Sequence, residues 1–132
     1  MKSDAMAEQK AHDLKQRTKD FALRIIRLYA ALPKTTEAQV LGKQVLRAGT
    51  SIGAHYREAQ RAKSDADFIN KIEGGLQEAE ETIYWLELLA DSGIMSAKRL
   101  EPLISEADEL IKMFVAMVVK VKQKHKRNLT AK

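Results

Sequence analysis

Four times along the chain, apolar side chains recur at three- and four-residue intervals, the period of one face of an α-helix. In the first stretch Phe21, Ile25, Leu28 and Leu32 hold that face, flanked by Ile26 and Tyr29. In the second, Leu41, Val45, Ala48, Ile52, His55 and Ala59 keep the same phase, and helix is expected to about Lys63. The third carries Phe68, Ile72, Leu76, Ala79, Ile83, Leu86 and Ala90; the fourth carries Leu100, Leu103, Ala107, Leu110, Phe114, Met117 and Val121. A stripe of this kind leaves water only by lying against another, so the chain has to pack helix on helix.

The punctuation between the stripes agrees. Pro33 ends the first helix, because its ring disfavours a helical residue before it and it has no N–H. Thr36 with Gln39, and Ser64 with Asp67, have the spacing of capping boxes for the second and third helices. Gly93 stands where a left-handed C-terminal cap belongs, and Ser96 is positioned to cap the fourth helix. Connections this short favour antiparallel neighbours. The expected fold is therefore all-α, an up-down-up-down antiparallel four-helix bundle over residues 15–124. A flexible segment (1–14) precedes it and a basic tail (125–132) follows. Gly49 and Gly53 sit one helical turn apart on the second helix. Each costs about 0.5–1 kcal/mol relative to Ala, which close approach of another helix would explain.

At 132 residues the chain has the length of one domain. It has no cysteine, which excludes disulfides, thiolate zinc sites and a cysteine nucleophile and suits a cytoplasmic setting. The first six residues are too polar for a signal peptide, and no apolar run approaches the roughly 20 residues that span a bilayer. No membrane association is expected. Charge is segregated along the chain. Residues 1–63 hold 13 Lys/Arg against 6 Asp/Glu, a balance of +7; residues 64–110 hold 3 against 12, or −9; residues 111–132 hold 7 against none, or +7. The three blocks total the formal net charge of +5. Such a basic–acidic–basic chain points to charged partners.

Signs of catalysis are weak. Gly49-Thr50-Ser51-Ile52-Gly53 matches G-x-S-x-G, but a nucleophile elbow needs a strand-to-helix turn, and this run lies within a helical seam. A di-iron carboxylate bundle needs paired Glu-x-x-His motifs. None of His12, His55 and His125 has a Glu three residues before it, and Glu73, Glu80 and Glu81 suit a solvated acidic face. His55, on the seam of the second helix, is expected to be a hydrogen-bonded core histidine. No catalytic residue, metal or cofactor is expected.

Two surfaces carry the functional reading. The cations Arg24, Arg27, Arg57 and Arg61, with Lys120, Lys122, Lys124, Lys126 and Arg127, are the candidate contacts to RNA or DNA. The run from Ile83 to Ala90 is apolar nearly all round the helix, which makes Tyr84, Trp85 and Leu88 candidates for an interface between subunits. The competing reading is a protein-interaction scaffold with no nucleic-acid role, whose basic face meets an acidic partner.

A longer pattern joins these features. Leu46-Arg47-Ala48-Gly49-Thr50-Ser51-Ile52-Gly53-Ala54, Arg57-Glu58-Ala59-Gln60, Ser64, Asp67-Phe68 and Glu78-Ala79-Glu80-Glu81-Thr82 lead into Tyr84-Trp85-Leu86-Glu87-Leu88-Leu89. The run resembles the small bacterial four-helix-bundle family first noticed as open reading frames in intervening sequences of 23S rRNA genes, over roughly residues 18–122. The resemblance implies an up-down bundle assembled as a ring-like homopentamer. A related member, the accessory protein of diversity-generating retroelements, is a basic pentamer that binds nucleic acid and a reverse transcriptase. The resemblance therefore implies as partners further copies of the chain, RNA or DNA, and an acidic or nucleic-acid-associated protein.

Overall fold

The computed structural model describes residues 2–130 and consists of four α-helices: α1 (Lys2–Ala31), α2 (Thr36–Gln60), α3 (Asp65–Asp91) and α4 (Ala97–Thr130). They run up, down, up and down, each packed on its neighbours in sequence, and no strand occurs among the described residues. The four stripes meet in one core in which Phe21, Ile25, Ile52, Ile72, Leu86, Leu100, Leu110 and Phe114 are fully buried.

Several boundaries differ from the sequence reading. Thr35, not Thr36, caps α2, its side chain accepting the Ala38 N–H. Gln39 is thereby released from a capping role; its side-chain amide donates to the Pro33 carbonyl and its oxygen accepts from the Tyr29 hydroxyl. α2 ends at Gln60 rather than Lys63. α1 is helical from Lys2, within the 1–14 segment read as flexible, and α4 continues through the basic tail to Thr130. Position 1 and the tail's last two positions, 131–132, lie outside the described residues. Ser64 and Ser96 cap α3 and α4 as expected, and Gly93 takes φ +76° after α3.

α2 and α3 sit at the centre of the packing because small residues let their neighbours in. A Cβ at Gly49 would lie 2.8 Å from Ile25 Cγ1, and one at Gly53 would lie 3.0 Å from Thr18 Oγ1, both on α1. A Cβ at Gly75 on α3 would lie 2.6 Å from the Phe114 ring of α4, and one at Gly74 would lie 2.7 Å from the His55 ring of α2. Gly74 thus makes the space that His55 fills. The expectation of a hydrogen-bonded histidine fails here: His55 Nδ1 is enclosed without a partner among the described residues. Tyr56 beside it stacks on Phe114, with ring centroids 5.9 Å apart. Its hydroxyl donates to the Ala11 carbonyl and accepts from Gln60, while burial pushes the phenol pKa up.

α1 and α4 are the least intimate neighbours. Their seam is crossed by Arg17, whose Nε and Nη2 donate to the two carboxylate oxygens of Glu106 at 2.7 and 2.8 Å. That hydrogen bonding holds the Arg17 guanidinium even more firmly charged than usual. A planar fork meeting a carboxylate edge-on is the geometry in which a partly exposed pair contributes most.

Two outcomes follow for stability. Gly53→Leu should destabilise the fold by about 1–3 kcal/mol in urea unfolding, because the added side chain is driven into Thr18 and the α1 backbone. Glu106→Gln should cost about 0.5–1 kcal/mol, and the loss should shrink in high salt as charge screening weakens the wild-type pair.

Candidate functional site

Because the helices alternate in direction, the C-terminal ends of α2 and α4 and the N-terminal ends of α1 and α3 lie at one end of the bundle. Arg57 in the last turn of α2 and Arg61 at its C-cap are therefore brought to the same end as Lys120, Lys122, Lys124, Lys126 and Arg127 on α4. All seven are exposed. Lys120, Lys124 and Arg127 recur at helical spacing and share one face of α4. Residues 111–132 carry no carboxylate side chain, and carboxylates come to this end of α4 from Asp65 and Asp67 in the first turn of α3.

Arg24 and Arg27 are not part of this cluster. They lie on the half of α1 that rises toward the opposite end, where Ile25 packs on Gly49, and Arg24 is partly buried. Lys122 belongs to the basic end but is already engaged, with its ammonium 3.6 Å from Glu73 of α3. Among the described residues, Arg57, Arg61, Lys120 and Lys124 take part in no ion pair. These four can meet an anion from outside.

Eight of the twelve carboxylates of the acidic block lie on α3, and that helix exchanges ion pairs with α2. Arg47 of α2 reaches Glu81 at 2.9 Å and Glu78 at 3.1 Å, and Lys71 pairs with Glu58 at 3.4 Å. The hydrogen bond to Glu81, then the charge of Glu78, raises the Arg47 pKa. Glu80, Glu87 and Asp91 remain exposed and form no ion pair among the described residues.

The apolar stretch of α3 divides between inside and outside. Leu86 and Leu89 are fully buried; Ile83, Trp85, Leu88 and Ala90 are partly buried; Tyr84 is 55% exposed. Trp85 packs against the core, with its indole Nε1 enclosed and unpartnered among the described residues. Tyr84 meets it edge-on at 5.2 Å and turns its remaining surface to water. The sequence reading passed over a second surplus of apolar surface. Ile26, counted there as flanking the buried face of α1, is 46% exposed, and Leu23 is 40% exposed. Their spacing with Lys19 and Ala30, four-three-four, was a signal that the stronger buried stripe obscured.

Ser51 lies inside α2 and donates to the Arg47 carbonyl at 2.6 Å, so its hydroxyl is committed to its own helix. No three His, Asp or Glu side chains are grouped to hold a metal ion among the described residues. No described helix is long and apolar enough to cross a membrane.

Residues 10–116 match the family described as 23S rRNA-intervening sequence protein. No curated protein matches the chain at a significant level. A crystal structure of a protein of unknown function from the S23 ribosomal protein family of Bacteroides thetaiotaomicron is similar, with a TM-score of 0.78 and 41% sequence identity. That similarity covers 83% of this chain and 97% of the other.

The division between Tyr84 and Trp85 predicts different outcomes for the two rings. Tyr84→Ser should change the unfolding free energy of the protomer by no more than about 0.5 kcal/mol, as an exposed substitution does. Trp85→Ala should cost more than about 2 kcal/mol by stripping a large side chain from the core edge. Chemical denaturation at low protein concentration distinguishes them.

Proposed function

Because the chain belongs to the 23S rRNA-intervening sequence protein family, we propose that it works by binding rather than catalysis. On this reading it is a cytoplasmic homo-oligomer, a pentamer, whose basic end holds RNA or DNA by its phosphates. The observation that carries the proposal is the convergence of Arg57, Arg61, Lys120 and Lys124 at one end of the bundle with no protein carboxylate engaging them among the described residues. Phosphate contacts made by long flexible cations position a nucleic acid without reading its bases, so binding is sequence-indifferent. Repetition of the same end around an oligomer lets weak contacts act together. Arg24 and Arg27, remote from this end, have no part in it.

The salt dependence of binding tests the reading. The logarithm of the observed affinity should fall linearly with the logarithm of salt concentration, by about 0.9 per duplex phosphate neutralised. Replacing Lys120 and Lys124 by Gln should make that slope shallower, while Arg24→Gln should leave it unchanged. Fluorescence anisotropy with a labelled RNA and a labelled DNA duplex measures both. No binding at low salt by the intact assembly would overturn the proposal in favour of a scaffold for other proteins.

A further inference from the structure

Two helices besides α4, where Val115 and Val119 are exposed, carry a second, exposed stripe on the side away from the core. On α1 it is Lys19, Leu23, Ile26 and Ala30; on α3 it is Gln77, Glu81, Tyr84 and Leu88. Both run at four-three-four spacing, the spacing of a seam between helices, although neither packs on another helix of the same chain. Each has an apolar part: Leu23 and Ile26, in the middle of the α1 stripe, are 40% and 46% exposed, and Tyr84, 55% exposed, forms the C-terminal half of the α3 stripe with Leu88. Their charges are mostly of opposite sign. Lys19 lies in the α1 stripe with Lys15, Arg27 and the carboxylate of Asp20 beside it, and Glu81, paired with Arg47, lies in the α3 stripe with Glu80, Glu87 and Asp91 beside it.

The two stripes also overlap in height. Ile25 of α1 abuts Gly49 of α2, and Arg47, two residues earlier on α2, bridges to Glu78 and Glu81 of α3. The Leu23–Ile26 turn is thus level with the start of the Glu81–Tyr84 turn. α1 and α3 run in the same direction. Two copies standing side by side, both upright, therefore bring the α1 stripe of one against the α3 stripe of the next, with Leu23 and Ile26 at the Glu81–Tyr84 turn and Arg27 toward Glu80 and Glu81.

We infer that the outer face of α1, centred on Leu23 and Ile26, is the docking surface for the outer face of α3, around Glu81, Tyr84 and Leu88, of a second copy of this chain. The inference rests on the proposed homo-oligomer and goes on to assign its contact. The contact is heterologous, because the two surfaces differ, so each copy offers one free face of each kind and assembly continues until it closes. Arg27 accordingly serves the subunit contact. Charge complementarity gives the contact its orientation, since like faces would set carboxylates against carboxylates and lysines against lysines.

A heterologous contact has a signature in mixtures. Ile26→Glu spoils only the α1 face and Tyr84→Lys only the α3 face; both positions are exposed, and far-UV circular dichroism confirms the helix content of each variant. Light scattering at micromolar concentration should give several protomers for the wild type and one for each variant alone. Mixed in equal amounts, the variants should associate again, because each still holds the face the other needs. Wild-type protein that is monomeric would overturn both the proposed oligomer and this contact. Wild-type oligomers with both variants also fully assembled would overturn the contact alone. Folded monomeric variants that stay apart when mixed would show that the copies do not meet face to opposite face, and would overturn it too.

Discussion

The closest approaches in this bundle are made where side chains are missing. Gly49 and Gly53 bring α1 down onto α2 until Ile25 and Thr18 occupy the space their Cβ atoms would need. On the other side of the centre, Gly74 accepts the His55 ring and Gly75 accepts Phe114. Glycine in a helix interior is costly in conformational entropy, and close contact along the whole crossing offsets that cost through dispersion. Height and rotation of every helix relative to α2 follow from these contacts. The ion pairs, ring stacks and exposed stripes take their positions from that register.

Polar groups inside the bundle are accommodated locally. Thr18 and Thr82 are fully buried, and each hydroxyl donates to a carbonyl of its own helix, to Lys15 and Glu78 respectively. Such bonds satisfy a buried hydroxyl without requiring a partner across the core. Tyr56 spans further, joining α2 to the Ala11 carbonyl of α1 while its ring lies on Phe114 of α4. His55 is the exception: its ring is placed by the Gly74 recess, and Nδ1 has no partner among the described residues. Across the looser α1–α4 seam, the Arg17–Glu106 fork supplies by charge some of what apolar contact does elsewhere.

The helices themselves were readable because an amphipathic helix states its phase every 3.6 residues. Phe21, Ile25, Leu28 and Leu32 are all buried, as are Leu100, Leu103, Ala107, Leu110 and Phe114. Caps were readable at Ser64 and Ser96, where one side chain decides, but not at Thr35, which stands beside an equally suitable Thr36. Surfaces were harder. Composition marked Tyr84 and Trp85 alike as surplus, yet a rotation of 100° about α3 puts one in water and the other against the core. Arg24 and Arg27 looked like further members of a basic surface because distance along the chain carries no height.

The sequence by itself determined four helices, their order, their buried faces and the segregation of charge into three blocks, since each depends only on residues within a few turns. Tertiary structure alone decided which charges meet. Lys122 finds Glu73, Arg47 finds Glu78 and Glu81, and Arg17 finds Glu106 across 89 positions of sequence. It also decided that Arg57 and Arg61 share an end with Lys120 and Lys124 while Arg27 does not, and that Leu23 and Ile26 stay uncovered. Those outcomes depend on how far each helix slides and turns against the next. That is set by which side chains are small enough at the crossing, a condition that neither helix carries alone.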